Sequence, residues 1–230
     1  MIFLSGDTHG ELPRFYQFET KGGKRPQKGD YVIISGDCGL VFQMYGTMAY
    51  IEEQRNIAEI EKLPYTVLFV DGNHENFDRL NAYPKERLFG GWVHKIASNI
   101  YHLIRGEVYE IEGKKIFAMG GAYSRDRACR CEGFSWWADE LPSDADYKNA
   151  ESNLRSVNME VDLIVSHQAP SEVIRYMGRY PDMHDVELTG FLEWVMHEVK
   201  FKKWYFGHWH DEREIMGKFR LLWFDTVLAD

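Results

Sequence analysis

Cysteine is scarce in this sequence. The 230 residues contain three, at positions 38, 129 and 131, and three cysteines cannot form a complete disulfide framework. Cys129 and Cys131 form a C-x-C pair, but no second pair completes a zinc site around them. We therefore expect free thiols and a cytoplasmic protein, and a metal or redox pair at these two positions is the less favoured alternative.

Long apolar runs are also missing. No apolar segment approaches the roughly 18 to 20 residues that a helix needs to cross a bilayer. The chain begins directly with a core-like run at residues 1–4, without the pattern of a signal peptide. The sequence therefore predicts no membrane partner.

An excess of positive charge is the third absence. There are 27 basic and 36 acidic residues, which gives a formal net charge of −9. This balance argues against stable electrostatic binding to a long nucleic-acid backbone. An acidic protein can still act on a phosphate group where bound cations reverse the local charge. The length and the 44% hydrophobic content fit one globular domain over residues 1–230, and the oligomeric state stays open.

What the sequence does contain is an alternation of strand and helix patterns. Residues 187–199 carry apolar side chains at helical spacing, and Ser143-x-x-Asp146 resembles a capping box that opens a helix to about residue 158. Alternating strands and helices predict an α/β sheet with some antiparallel edge pairing. The predicted strands are 2–4, 31–34, 66–70, 108–111, 115–119, 161–165, 204–206 and 219–224, and the other predicted helices are 11–20, 47–63 and a short one after residue 77, before a loop to residue 91.

Five of the predicted strands end in side chains that bind metals. The carboxyl ends of neighbouring strands converge along one edge of a sheet, so we expect these side chains to meet. Carboxylate, amide and imidazole donors without thiolate suit manganese, iron, zinc or nickel better than calcium or magnesium alone. Seven or eight donors are too many for one ion and fit two. The side chains are Asp7, His9, Asp37, Asn73, His74, His167, His208 and His210.

A pair of divalent ions indicates a class of reaction. Two ions roughly 3.5–4 Å apart can activate a bridging water and stabilise both the entering and the leaving oxygen of a phosphoryl displacement. Asp37 is a candidate bridge, because one carboxylate can bind two ions through its two oxygens. The sequence thus predicts metal-dependent chemistry on a phosphate ester, with a water between the ions as the candidate nucleophile.

Five short blocks resemble the signature of the calcineurin-like metallophosphoesterases. They are Gly6-Asp7-Thr8-His9-Gly10, Gly36-Asp37, Gly72-Asn73-His74-Glu75, Ser166-His167 and Gly207-His208-Trp209-His210, and their order and spacing match from residue 5 to residue 210. The resemblance implies a four-layer αββα sandwich.

The resemblance also implies a role for each residue of the blocks. Asp7, His9 and His210 would hold the first ion, Asn73, His167 and His208 the second, and Asp37 would bridge the two. His74 would act with Asp37 in catalysis, as a general acid or as a stabiliser of the leaving group. A carboxylate such as Glu75 or Asp37 would orient His74.

The sequence departs from the protein Ser/Thr phosphatase branch of that family at two positions. Asp71 stands where that branch has an arginine that helps to hold the phosphate, and the block at Asp37 lacks a second acid. Three arginines of the loop 125–142 are replacement candidates for substrate binding, because guanidinium matches phosphate bidentately. They are Arg125, Arg127 and Arg130, and the alternative is that they pair with Asp126, Glu132 and Asp139.

Several functions therefore stay open. The favoured one is hydrolysis of a phosphate monoester or diester, with a small phosphorylated molecule such as a nucleotide, or a phosphoprotein, as the substrate. The enzyme alternative is a serine/threonine protein phosphatase. A non-catalytic scaffold that keeps the fold is disfavoured, because such a protein would have lost ligands and none is missing here.

Overall fold

The computed structural model describes residues 1–229. Their strands, in chain order, are β1 Ile2–Ser5, β2 Tyr31–Ile34, β3 Thr66–Phe69, β4 Lys85–Leu88, β5 Gly91–Ala97, β6 Ile100–Leu103, β7 Val108–Ile111, β8 Lys114–Met119, β9 Leu163–Ser166, β10 Lys203–Phe206, β11 Arg213–Ile215, β12 Phe219–Leu221 and β13 Thr226–Leu228. Their α-helices are α1 Leu12–Gln17, α2 Met48–Ile60, α3 Phe77–Leu80, α4 Asp144–Ser156, α5 Ser171–Tyr176 and α6 Val186–Glu198.

The strands form two sheets. The first has the order β13-β1-β2-β3-β6-β5-β4, with a parallel centre from β1 to β6 and antiparallel strands at both edges. The second has the order β11-β12-β10-β9-β8-β7, again with a parallel centre and antiparallel edges. Parallel strands need crossover connections, and here the helices supply several of them.

Alternation along the strands of the first sheet separates two apolar layers. Val32 and Ile34 on β2 pack with Ile57 and Ile60 of α2, whereas Ile33 points into the cluster between the sheets. Successive side chains of a strand face opposite sides of the sheet, which explains why every residue of this run is apolar.

The second sheet is built in the same way. Leu163 and Val165 on β9 join the cluster between the sheets, and Ile164 packs with Leu154 of α4 and Leu192 of α6. Helices therefore cover the outer face of each sheet, and the two inner faces pack together. The predicted four-layer αββα sandwich is confirmed.

Two predicted helices begin at the N-terminal caps that their sequences indicate. Thr47 caps α2 by accepting a hydrogen bond from the Tyr50 N–H at 3.0 Å. Ser143 and Asp146 form the capping box that opens α4. Each cap satisfies N–H groups that the first helical turn leaves without a partner.

The predicted loop up to residue 91 was wrong. It contains β4, and the chain goes on through β5 and β6, which were not among the predicted strands. The residues of β4 are Lys-Glu-Arg-Leu and partly exposed, as is typical of an edge strand, so no apolar alternation marks it.

The last predicted strand was also too long. The chain leaves the second sheet after Leu221 and joins the edge of the first sheet as β13, where Leu228 lies opposite Phe3. The apolar residues at 222–224 belong to the connection between the two sheets.

Two absences concern the residues that the structure describes. Within residues 1–229, every helix is too short or too polar to cross a membrane. The three cysteines, all within that range, are free thiols, with Cys38 buried and Cys129 and Cys131 exposed.

Candidate metal centre

The side chains predicted to bind metal come together, but at the junction of two sheets. Asp7, Asp37 and Asn73 follow β1, β2 and β3 of the first sheet, whereas His167 and His208 follow β9 and β10 of the second. The expectation of one sheet edge was therefore wrong. Two parallel sheet centres face each other, so the carboxyl ends of both sets of strands meet.

One part of the cluster consists of Asp7, His9 and His210. His210 Nε2 lies 3.2 Å from both His9 Nε2 and Asp7 Oδ2. The hydrogen bond with Asp7 raises the pKa of His210. One atom from each of the three side chains lies within 4.8 Å of the others, which is close enough for all three to hold one ion.

A second part lies around the carboxamide of Asn73. Asn73 Oδ1 is 3.2 Å from His167 Nε2 and 3.0 Å from His208 Nδ1. His167 Nε2 is also 3.4 Å from Asp37 Oδ1. Two imidazole nitrogens and two oxygens thus face one point, and they are the donor types that suit a first-row transition metal.

The histidine tautomer supports this geometry. His167 Nδ1 lies 2.9 Å from the Ser35 carbonyl oxygen, which can only accept a hydrogen bond. Because Nδ1 is engaged by this carbonyl, Nε2 is the nitrogen that faces the cluster and that a cation would bind. A backbone carbonyl that orients a histidine in this way is the usual partner of a metal ligand.

The centre attracts positive charge strongly. Burial alone would lower the pKa of His167, but the carboxylates of Asp37 and Asp7 raise it to about 10. Burial would also raise the pKa of Asp37, but the neighbouring His167 holds it well below its usual range. The negative charge that stabilises a proton on this imidazole would attract a divalent cation in the same way. The residues therefore fit the pair of ions that their pattern predicts.

Asp7 and Asp37 both lie between the two parts. Asp7 groups with His9 and His210, and it also groups with Asp37 and His167. Either carboxylate is thus placed near both donor sets. The role of Asp37 as the bridging ligand stays a prediction.

Four of the seven predicted ligands have left-handed backbone conformations. The φ angles are 48° for His9, 46° for Asp37, 68° for His208 and 46° for His210. This region is sparsely populated by residues other than glycine and costs about 1–3 kcal/mol each, and such residues cluster at functional sites. The surrounding fold holds these side chains in place against a local preference.

Gly36 and Gly72 allow the backbone to approach the ligands closely. A Cβ on Gly36, whose φ is 97°, would overlap the His167 ring, and a Cβ on Gly72 would overlap the Asp37 carboxylate. Any larger residue would displace one of these ligands.

The sequence comparison now decides the family. The profile of the calcineurin-like phosphoesterases matches residues 1–212, nearly the whole chain. The chain belongs to this family. The resemblance of the five blocks is thereby confirmed.

The curated relatives of this calcineurin-like phosphoesterase include several proteins with one name. The chain is 27% identical to the lariat debranching enzyme of Schizosaccharomyces pombe over 91% of its own length and 48% of that protein. It is 26% identical to the human lariat debranching enzyme over 76% of the chain and 33% of that protein. The lariat debranching enzyme A of Xenopus laevis is 28% identical over 76% of the chain and 34% of that protein. The chain spans about half or less of the length of these relatives.

His74 lies at the border of the centre and is partly exposed. Its backbone N–H donates to Asp37 Oδ1 at 2.8 Å, and its ring Nε2 lies 4.0 Å from Asp37 Oδ2. Burial lowers the pKa of His74. Asp37 is thus the carboxylate beside His74, and it is one of the two that were predicted to orient this ring.

Glu75 is bonded to two backbone N–H groups of the loops around the centre. It accepts hydrogen bonds from the Cys38 N–H at 2.9 Å and the Gly72 N–H at 2.6 Å. Burial, together with the charge of Asp37, raises the pKa of this carboxyl well above its usual value. Glu75 therefore braces the loops that carry Asp37 and Asn73, and of the two predicted alternatives Asp37 is the carboxylate that contacts His74.

The three arginines of the loop 125–142 occupy different places. Arg130 reaches the centre, with Nη1 3.2 Å from His74 Nδ1 and Nη2 3.2 Å from His74 Nε2, and it pairs with Asp126 at 2.8 Å. Arg127 instead pairs with buried Glu140 at 2.7 Å, which was not among its predicted partners. Arg125 lies over the Trp209 ring, 4.6 Å from its centroid. Their predicted roles in substrate binding stay predictions.

Two sets of contacts around this phosphoesterase centre were not predicted. The Ser124 hydroxyl lies 3.1 Å from the Asn73 carboxamide nitrogen. Asp71 is buried beside Asn73 and pairs with Arg105 at 2.6 Å, and His102 lies 3.0 Å from its other oxygen. The departure at Asp71 was visible in the sequence, but its partner, 34 residues away, was not.

Proposed function

We propose that this protein is a metal-dependent hydrolase that cleaves phosphate esters with the help of two divalent cations. The observation that carries the proposal is the convergence of seven ligand side chains from two sheets on one small region. A scaffold without activity would not need to hold four of them in costly left-handed conformations.

The residues suggest how the ions would be held. Asp7, His9 and His210 would hold one cation, and Asn73, His167 and His208 the other, with Asp37 between them. Manganese is the favoured metal, with iron, zinc or nickel as alternatives. When bound, the cations supply an activated water and neutralise charge on the phosphate.

His74 and Arg130 would act on the other side of the phosphate. The His74 ring is outside the two ligand groups, and its side chain is 27% exposed, so a substrate can reach it. In the proposed mechanism it donates a proton, or a hydrogen bond, to the leaving oxygen. Arg130 lies against the same ring and is placed to bind a phosphate oxygen.

Because residue 71 is an aspartate, dephosphorylation of proteins is less favoured than hydrolysis of other phosphate esters. Its carboxylate is buried and engaged by Arg105 and His102, so this position presents no cation to a phosphate. The names of the curated relatives suggest a second candidate, the phosphodiester at the branch of a lariat. A diester substrate is compatible with the acidic chain, because the cations would bind the phosphate directly.

The test begins with protein stripped by a chelator and reloaded with Mn²⁺. Aryl phosphate, bis-aryl phosphate and a phosphopeptide are offered to the loaded protein, to the stripped protein and to Asp37→Asn, with metal content measured in each. We expect hydrolysis of at least one ester, none by the stripped protein, and a large loss in Asp37→Asn. Full turnover by the stripped protein, or by Asp37→Asn, would refute the proposal.

A further inference from the structure

An aromatic and cationic pocket opens beside the candidate metal centre. It is a shallow cavity of about 620 Å³ that we call the Trp209 pocket. Its lining combines rings, guanidinium groups and a thioether, and only one acid is among the residues around it. The lining residues are Arg125, Arg179, Tyr180, Pro181, Asp182, Met183, His184 and Trp209.

The pocket is connected to the centre through the chain. Trp209 stands between the predicted ligands His208 and His210, so its indole and their imidazoles belong to one short segment. The indole is held firmly, because its Nε1 donates to Gln168 Oε1 at 2.9 Å and Gln168 in turn donates to Asp185 at 2.7 Å. The Trp209 and His208 rings are in edge contact, with their centroids 5.4 Å apart, so a group bound in the pocket would lie close to a phosphate bound at the proposed cations.

Two arginines crowd the indole. The Arg125 guanidinium lies 4.6 Å from the centroid of the Trp209 ring, and that of Arg179 lies 5.1 Å from it. Arg125 also donates to the Tyr180 carbonyl at 3.2 Å, which ties the loop 125–142 to the pocket. In a chain with a net charge of −9, this is a local concentration of positive charge. Among the described residues of the lining Asp182 is the one acid, and its carboxylate lies 2.8 Å from His184 Nδ1.

Two large side chains of the pocket have little to pack against. Tyr180 is 83% exposed and Met183 is 80% exposed. A phenol ring, a thioether and flat guanidinium groups can all lie against the face of an aromatic ligand. Nucleic-acid bases are bound in this way, by stacking on aromatic rings and on arginine, next to positive charge that attracts the phosphate.

We infer that the Trp209 pocket binds the nucleoside part of the substrate, so that the ester cleaved at the metals is a nucleotide monoester or diester. The inference rests on the proposed function and narrows it. A single nucleotide needs only one stacking surface and a few positive charges. The Trp209 pocket has both, although the chain as a whole is acidic. The expectation against stable binding of a long nucleic-acid backbone is unaffected.

The experiment compares two substrates that share a leaving group. The p-nitrophenyl ester of thymidine 5′-monophosphate carries a base, and methyl p-nitrophenyl phosphate does not. We measure kcat/KM for both with the Mn²⁺-loaded protein and with Tyr180→Ala and Arg179→Gln. Tyr176→Ala is the matched control, because Tyr176 is also exposed, at 65%, and lies four residues before Tyr180, outside the lining.

We expect the wild-type protein to prefer the nucleotide ester. The ratio of the two kcat/KM values should fall at least about fivefold in Tyr180→Ala and in Arg179→Gln, as the loss of one stacking partner implies, and it should not change in Tyr176→Ala. The inhibition constant of thymidine 5′-monophosphate should rise in the same two variants, while that of inorganic phosphate should not.

The results that overturn the inference differ from those that overturn the proposed function. Hydrolysis of both esters with an equal ratio in all four proteins would overturn the nucleoside pocket and leave the phosphoesterase intact. A phosphopeptide whose hydrolysis, in place of that of the nucleotide ester, depends on Tyr180 would do the same. No hydrolysis of any ester by the metal-loaded protein would instead refute the proposed function.

Discussion

The hydroxyl of Ser124 lies 3.1 Å from the carboxamide nitrogen of Asn73 and accepts its hydrogen bond. The same hydroxyl donates to Glu140 Oε2 at 2.8 Å, and Glu140 Oε1 accepts from the Ser124 N–H. Since the carboxamide nitrogen is held by Ser124, the carboxamide oxygen faces His167 and His208. Ser124 and Glu140 thus fix the orientation in which Asn73 can bind a cation.

Replacement of Ser124 by alanine should weaken one of the two metal sites. Without its acceptor the Asn73 amide can turn over, and partners of this kind are typically worth about 10–100-fold in metal affinity. We expect Ser124→Ala to bind one equivalent of Mn²⁺ at least tenfold more weakly, as measured by calorimetric titration. Ser156→Ala, at the exposed end of α4, is the control and should bind both equivalents normally. Equal affinities in the two variants would contradict this role of Ser124.

Replacement of His74 should separate catalysis from metal binding. His74 is outside both ligand groups, so His74→Gln should keep two equivalents of metal. If its ring serves the leaving oxygen, kcat should fall by about 10²–10⁴-fold. His167→Gln should lose metal as well as activity, because His167 Nε2 faces the centre. Metal analysis beside steady-state kinetics checks both, and a metal-loaded His74→Gln with wild-type kcat would exclude the proposed role.

Arg130 and Arg127 should give opposite phenotypes. Arg130 contacts the partly exposed His74, and Arg130→Gln should lower kcat/KM about tenfold or more with little change in melting temperature, because charged hydrogen bonds contribute about 1.5–3 kcal/mol.

Arg127 is the counter-charge of Glu140, which has no solvent exposure. Arg127→Gln should therefore lower the free energy of unfolding by about 1–3 kcal/mol. Thermal denaturation and ester hydrolysis, measured on both variants, test the contrast with Arg130→Gln. A destabilised Arg130→Gln and a fully stable Arg127→Gln would reverse the assignment.

The positions of the predicted ligands at the ends of strands could be read from the sequence, because each comes after a short apolar run. Residues 31–34 and 161–165 indicate buried strands by composition alone, and the residues directly after such a strand lie at the edge of a sheet. The pattern does not say which sheet a strand joins. His167 and Asp37 were therefore expected to share one sheet, although they come from two.

The partners of the ligands were not predictable in the same way. Ser124 is a polar residue in a loop without periodicity, and its contact with Asn73 spans 51 residues of chain. Pairing over such a distance is decided by the assembly of the two sheets, which no local pattern records. The strand β13 was not predicted for a related reason. Its three residues are recognisable as a strand only by their pairing with β1.

The pH dependence of stability should reveal a buried histidine pair that is outside the set of predicted metal ligands. His94 on β5 is buried, its Nδ1 lies 3.0 Å from that of His102, and its Nε2 has no hydrogen-bond partner among the residues that the structure describes. Burial, followed by the charge of His102, lowers the pKa of His94 to about 3. In the unfolded chain the pKa of histidine is near 6.5.

The sign of the effect is set by these two values. Above pH 6.5 His94 is neutral in both states and imposes no cost. As the pH falls from 6.5 towards 3, the unfolded chain takes up a proton that the folded protein refuses, so stability is lost. At pH 5 this loss amounts to about 2 kcal/mol.

His94→Gln should remove this part of the acid sensitivity. The unfolding free energy, measured by urea denaturation at pH 7 and pH 5, should fall by about 2 kcal/mol less in the variant than in the wild-type protein. The comparison uses the difference between the two pH values, so a change in overall stability from the substitution does not affect it. His197→Gln, at an exposed site on α6, is the control and should keep the wild-type difference. An identical difference in His94→Gln would show that His94 accepts a proton in the folded protein as readily as in the unfolded chain.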